Sequence, residues 1–281
     1  MSRSVLLIGG PDSGKTNYVG RVWPALEDGK GRLQAVEQPD DIQFVLEVAD
    51  HLFSGHFDPR SEHVDDRQDF EVVVSDTDGE HTSIIIPDMS GELWQNAVLD
   101  CEVTPELMNE MREADGAILF IRVCSDQDVR PLDWVSSQAM MEQLGEEKKA
   151  GLPTQVLVCE LIRFLELTLV NRPDGSSPRL SVVVSAWDLV DDEKFTAGPE
   201  RFLEREYPFV AGRLKDIDCL SVQVFGLSIV GGDLKADGAF RDKMLETGID
   251  GHGWVAAKDQ SGAWVRHTDL TLPIAWVVGA K

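Results

Sequence analysis

Basic side chains are scarce in this sequence: 26 lysines and arginines stand against 50 aspartates and glutamates, leaving a formal charge of −24. Like-charge repulsion of that size opposes general binding to nucleic acid or to anionic membrane surfaces, so neither is expected as a partner. A site for an anionic ligand must then be built locally, from backbone N–H groups, a helix terminus, one or two cations and a metal ion. Paired cysteines are also missing. Cys101, Cys124, Cys159 and Cys219 lie far apart without C-x-x-C spacing, so neither a zinc site nor a disulfide framework is suggested. They are expected as small buried hydrophobes in a reducing cytosol. No apolar run is long enough to cross a bilayer, since the longest, Thr154–Val170, carries Glu160, Arg163 and Glu166. The opening stretch leads from Val5–Ile8 into glycines and reads as a first strand rather than a signal peptide, so a cytoplasmic protein is expected. There is no internal repeat.

With 281 residues and 42% hydrophobic content the chain can bury a full core. One domain over 1–281 is expected, with insertions at a helix 40–52 and a segment 124–172 and an extension 230–281. Continuous apolar runs at Ser4–Ile8, Gly116–Val123, Leu180–Ser185 and Ser221–Leu227 read as strands buried on both faces of a parallel sheet. Helices are expected from Lys15 to about Leu26, over Ile42–Leu52, from Thr104-Pro105 to about Ala114, over Thr154–Val170 and over Pro199–Leu214. Phe70–Ser75 and Ser83–Ile86 flank Asp76-Thr77-Asp78-Gly79, a hairpin signal. Phe53–Arg67 reads as a mobile loop and Gly231–Gly253 as loop-rich. A small hairpin over Trp254–His267 and an apolar element Leu272–Val278 follow. The alternation predicts a three-layer α/β/α architecture of the P-loop NTPase, G-domain-like type, with a mostly parallel sheet and one antiparallel edge strand.

Gly9-Gly10-Pro11-Asp12-Ser13-Gly14-Lys15-Thr16 matches G-x-x-x-x-G-K-[ST] between a predicted strand and a predicted helix. Gly9 and Gly14 let the backbone curl so that successive N–H groups face phosphates, and the helix adds its positive end. Pro11, Asp12, Ser13 and the following Asn17 complete the candidate contacts. Lys15 is expected to reach the β- and γ-phosphates and the Thr16 hydroxyl to bind Mg²⁺. Asp88 ends the strand Ile84-Ile85-Ile86 and is a candidate magnesium ligand through water, while Gly91 offers a backbone N–H to the γ-phosphate.

This order of motifs over Ser4–Ile229 resembles the translation-factor-related and Ras-like class of GTPases. Asp88-Met89-Ser90-Gly91-Glu92, the extra helix before the β-pair and Leu272-Pro273-Ile274-Ala275-Trp276 are similar to bacterial double-GTPase proteins. The resemblance implies Mg²⁺ with GTP or GDP as ligand, switch loops at Phe53–Arg67 and Asp88–Leu99, protein partners read through them, and a place in bacterial multi-protein systems, conflict systems included. It makes Ser61 the switch hydroxyl on magnesium, where the class has Thr, and Glu92 the water-orienting residue, where many members have Gln. Ser185-Ala186-Trp187-Asp188 stands where the class has Asn/Thr-Lys-x-Asp, so Asp188 would accept from guanine N1–H and the 2-amino group, and Ser228-Ile229 would meet O6. Asp12 is a candidate for holding K⁺. The residues leave two rivals open: an interaction module that hardly hydrolyses nucleotide, and an ATPase whose Asp188 only caps a helix. Arg67, Arg112 and Arg130 are all available as activating cations, and Trp276 as a docking or packing residue.

Overall fold

The computed structural model describes all residues except 1, 40–41, 58–68, 88–90, 101, 132–151, 235, 249–250 and 281, and the side chains of Ser2 and Glu92. Among the described residues, nine strands form one sheet in the order β2-β3-β4-β1-β5-β6-β7-β8-β9. They are β1 (Ser2–Ile8), β2 (Leu33–Ala35), β3 (Asp69–Asp76), β4 (His81–Pro87), β5 (Gly116–Arg122), β6 (Arg179–Ser185), β7 (Ser221–Ser228), β8 (Trp254–Lys258) and β9 (Trp264–His267). The helices are α1 (Lys15–Asp28), α2 (Gln43–Phe53), α3 (Gly91–Asp100), α4 (Pro105–Glu113), α5 (Thr154–Thr168), α6 (Asp192–Glu206), α7 (Pro208–Asp216), α8 (Gly238–Thr247) and α9 (Leu272–Val278).

The central strands β4, β1, β5, β6 and β7 run parallel. Alternation along them sends Leu6 and Ile8 into one core with Trp94, Met111, Ile162 and Val210, under α3 to α7. Val5 and Leu7 enter a second core with Tyr18, Trp23, Val45 and Ile274, under α1, α2 and α9. These strands are apolar throughout because both faces are covered, and each buried Leu, Ile or Val side chain stabilises by roughly 1.5–3 kcal/mol. The expected α/β/α layering is observed. The expected sheet needs correction: β2-β3-β4 on one flank and β7-β8-β9 on the other pair antiparallel, so antiparallel strands bound both edges rather than one. Short connections explain the β3–β4 and β8–β9 pairs, since a tight turn such as Asp259–Gly262 returns a strand only in the opposite direction.

Caps explain several helix starts. Thr104 Oγ1 accepts from Leu107 N at 3.2 Å with Pro105 in the first turn, and Asp191 Oδ1 accepts from Lys194 N at 2.8 Å. In the β3–β4 turn, Asp76 Oδ1 accepts from Asp78 N and Glu80 N, both at 3.0 Å, and Gly79 takes φ 78°. Three further expectations change, and residues 33–35, for which no element was expected, form the edge strand β2, paired to β3. The candidate switch 88–99 contains the helix α3, whose Trp94 is buried. The single helix expected over Pro199–Leu214 is two, broken at Tyr207-Pro208 because proline cannot continue the hydrogen-bond ladder. The loop-rich 231–253 carries α8, capped by Asp237. Among the described residues, no helix is long and apolar enough to cross a membrane.

Candidate functional site

The motifs meet at the C-terminal ends of the parallel strands. From β1 the chain turns at Gly9, where φ is 155° and an added Cβ would stand 2.8 Å from Ser13 Oγ and 2.9 Å from Phe120 O. It enters α1 through Gly14, with φ 94° and ψ 12°, a left-handed conformation that glycine adopts without strain. Asp12 takes φ 60°, which Asp tolerates better than most residues. Lys15 is buried, and its Nζ donates to Gly9 O at 2.9 Å, Gly10 O at 3.2 Å and Ser13 Oγ at 3.2 Å. The sequence Gly9–Lys15 therefore folds into a closed ring of backbone at the foot of a helix, with an ammonium group inside it.

Three neighbouring strand ends clamp this ring. Ser185, at the end of β6, donates its Oγ to Ser13 O at 2.7 Å. Arg122, at the end of β5 and in register with Ser185, donates Nη1 to Asp12 Oδ1 at 2.5 Å and to Asp12 O at 3.3 Å. Ser125 Oγ donates to Asp12 Oδ2 at 3.0 Å. Gly91, the first residue of α3, lies against the ring: an added Cβ would be driven into Pro11 N and would stand 2.6 Å from Gly10 C. Trp94, one helical turn on, fixes α3 by donating Nε1 to Leu7 O at 3.3 Å.

A second group converges one strand further along. Asp188 follows β6 and is hydrogen-bonded to the Ser228 hydroxyl at the end of β7; burial pushes its carboxyl pKa up, with the Ser228 bond opposing the shift. Ser228 is fully buried and its Oγ accepts from Gly231 N at 2.9 Å. Ala186 takes φ 55° and ψ 38°, which turns the chain so that Trp187 goes into the core against Phe202 while Asp188 remains partly accessible. Arg21 of α1 donates Nε to Ile229 O at 3.2 Å and Nη2 to His252 O at 2.9 Å, tying the same helix that begins at the ring to the loop after β7.

The structure thus brings Gly9, Pro11, Asp12, Ser13, Gly14, Lys15 and Gly91 together, and Asp188, Ser228 and Ile229 together beside them. Thr16 lines a cleft with Lys15, Phe44, Phe70 and Pro87; Asn17 follows in the first turn of α1. Asp88, Ser61, His63 and Arg67 lie outside the described residues, as does the side chain of Glu92. His56, within the stretch 53–67 expected as a loop, is exposed. Arg112 and Arg130 are exposed, Arg112 at the end of α4. Arg122, Ser125 and Arg21 were not singled out by the sequence, and Ser185 only as part of the motif ending at Asp188. The signal for Arg122 was a cation closing an otherwise apolar strand at the same edge as the motifs. Among the described residues there is no cluster of three or more His, Cys, Asp or Glu suited to a metal.

The sequence from residue 6 to 277 matches the family model described as Double-GTPase 1. None of the curated proteins gives a significant match. The chain belongs to the Double-GTPase 1 family.

Proposed function

From membership of the Double-GTPase 1 family, which points to guanine-nucleotide binding, we propose that the chain is a magnesium-dependent GTP-binding protein with slow intrinsic hydrolysis. The observation that carries this reading is the joining of two half-sites on one helix: the ring Gly9–Lys15 opens α1, and Arg21 of the same helix holds the loop beside Asp188 and Ser228. One half suits phosphates, through ring N–H groups, a helix N-terminus and the Lys15 ammonium. The other suits guanine: an ionised Asp188 accepts two N–H donors, a pair that adenine lacks, and pairing an accepting carboxylate with adenine leaves it unsatisfied. Asn17, Ser228 and Ile229 complete the nucleotide contacts in this reading.

Magnesium fits the oxygen donors available. Thr16 supplies a hydroxyl in the cleft that Pro87 also lines, and Asp88 follows Pro87 in the sequence, so a hydroxyl and a carboxylate are the proposed donors, the hard oxygen set that Mg²⁺ prefers. Ser61 is the proposed third protein oxygen. When bound, the ion would neutralise charge on the β- and γ-phosphates. Lys15 leaves the ring carbonyls to donate to those phosphates, Gly91 presents its backbone N–H to the γ-phosphate from its contact with Pro11, and Glu92 orients the attacking water. A carboxylate at residue 92 also repels the γ-phosphate, which keeps turnover slow. The nucleotide state is read by protein partners through residues 53–67 and 88–99, as a molecular switch in a bacterial multi-protein system, conflict defence included.

Dissociation constants for GTP, GDP and ATP with magnesium, on wild type and Asp188→Ala, test the reading. A guanine preference that disappears in Asp188→Ala supports it. Equal or tighter ATP binding by the wild type overturns it in favour of an ATPase.

A further inference from the structure

Asp12 places a carboxylate inside a ring that the reading above assigns to phosphates, where bare negative charge works against the ligand. Both of its oxygens are engaged: Oδ1 by Arg122 Nη1 at 2.5 Å and Oδ2 by Ser125 Oγ at 3.0 Å, while the same Arg122 nitrogen also reaches Asp12 O. The pair is about seven-tenths buried on each side, at 28% and 29% side-chain exposure, so solvent screens it incompletely. Arg122 Nε is buried and makes no hydrogen bond, so the guanidinium keeps donor capacity beyond Asp12. Its positive charge also bears on Asp188, opposing the upward shift of that carboxyl. Arg122 therefore stands between the acid of the phosphate half and the acid of the base half.

We infer that Arg122 is the resident counter-cation of the phosphate loop, a positioning residue that holds Asp12 neutralised and takes the place of the alkali ion for which Asp12 was a candidate ligand. The oxygens that K⁺ would need are already donated to, and a guanidinium within hydrogen-bond distance repels a second cation. The residues present do not fit K⁺, and no step requires it. Ser125 and Ser185 complete the arrangement by fixing residues 12 and 13 against β5 and β6. This inference rests on the nucleotide-binding reading and goes beyond it by naming what makes an acidic loop compatible with a polyanion.

The experiment is binding of a fluorescent GTP analogue with magnesium, in KCl and in NaCl at equal ionic strength, to wild type, Arg122→Gln, Arg122→Lys, and Arg122→Gln combined with Asp12→Asn. Equal wild-type affinity in the two salts is expected, and this comparison depends on no variant folding. Arg122→Gln should bind roughly tenfold or more weakly, because one partner of a desolvated pair is left alone. Arg122→Lys should recover much of that loss by restoring the charge. Adding Asp12→Asn to Arg122→Gln should also recover it, by removing the orphaned carboxylate, an outcome that a merely structural arginine does not produce. Wild-type binding that requires K⁺, or an Arg122→Gln chain that folds by circular dichroism and binds as wild type does, overturns the inference while leaving the nucleotide reading intact. Failure of wild type to bind GTP in either salt removes the nucleotide reading itself.

Discussion

At the N-terminal ends of the parallel strands, Arg172 donates Nη2 to Val278 O at 2.8 Å and Arg179 donates Nη1 to Trp276 O at 2.5 Å, so two guanidinium groups close the last turn of α9. Arg3 pairs with Asp115 at 3.4 Å alongside them. At the C-terminal ends of the same strands, Arg122 meets a carboxylate within a loop of left-handed residues. The lower arginines answer the negative end of a helix dipole and the carbonyls that every helix end leaves open. The partners of Arg172 and Arg179 are backbone carbonyls of α9. The upper arginine answers a side chain in the ring proposed to hold phosphates. Trp276, half-buried with Arg179 stacked over its ring at 5.5 Å, belongs to the lower set and packs rather than standing free. The same residue type thus fastens one edge and adjusts charge at the other.

Changes at the upper edge should affect binding and changes at the lower edge stability. The largest effect is expected from Gly91→Val, which forces side-chain atoms into Pro11 and Gly10. Overpacking of about 3 kcal/mol, felt by the ring, corresponds to roughly hundredfold weaker GTP binding, measured by titration, with the circular dichroism spectrum unchanged. Next comes Arg172→Ala at the lower edge. Loss of its buried bond to Val278 O should lower stability by about 2 kcal/mol, seen as a fall of several degrees in Tm, while GTP affinity stays at the wild-type value. A weakened affinity in that variant would erase the division between the two edges.

The smallest effect concerns Asp188. Its folded-state pKa is raised by burial, so ionisation is harder in the folded chain than in the unfolded one. That penalty is absent below the ordinary carboxylate range, grows as pH rises through the raised pKa, and is fully present at neutral pH. Asp188→Asn should therefore raise Tm slightly at pH 7 and not at strongly acid pH, although the same change removes guanine preference. The same shift means that wild-type GTP affinity should decline on acidification at higher pH than an ordinary carboxylate would dictate, with ATP affinity flat over the same range. A lower Tm for Asp188→Asn at neutral pH would assign Asp188 to the fastening side of the comparison.

Much of this was legible in the sequence, for identifiable reasons. Gly9–Thr16 is a local motif whose geometry follows from residue types, and strands buried on both faces show themselves as unbroken apolar runs. The antiparallel flanks were harder. Leu33–Ala35 is too short to display a period, and Trp254–His267 looked like a free hairpin because nothing local says that β8 will pair with β7 twenty-odd residues upstream. Helix α3 was hidden by the glycine at its start, a residue that elsewhere ends helices; here Gly91 is needed for its contact with Pro11. The partner of Arg122 was hidden for a different reason. Asp12 lies 110 positions away, and only the parallel pairing of β1 with β5 brings them together.

Tyr18 donates its hydroxyl to Leu270 O at 3.1 Å, and Arg21 to His252 O, across 252 and 231 residues respectively. The helix that opens with the Gly9–Lys15 ring is thus finished by segments 231 and 252 residues later in the chain. The ring Gly9–Lys15 is synthesised long before the loop beside Asp188 at Ser228–Ile229 and before the supports of α1 at His252 and Leu270. A partly made chain carries the motif without its supports, and the site forms only once those later segments have folded onto α1.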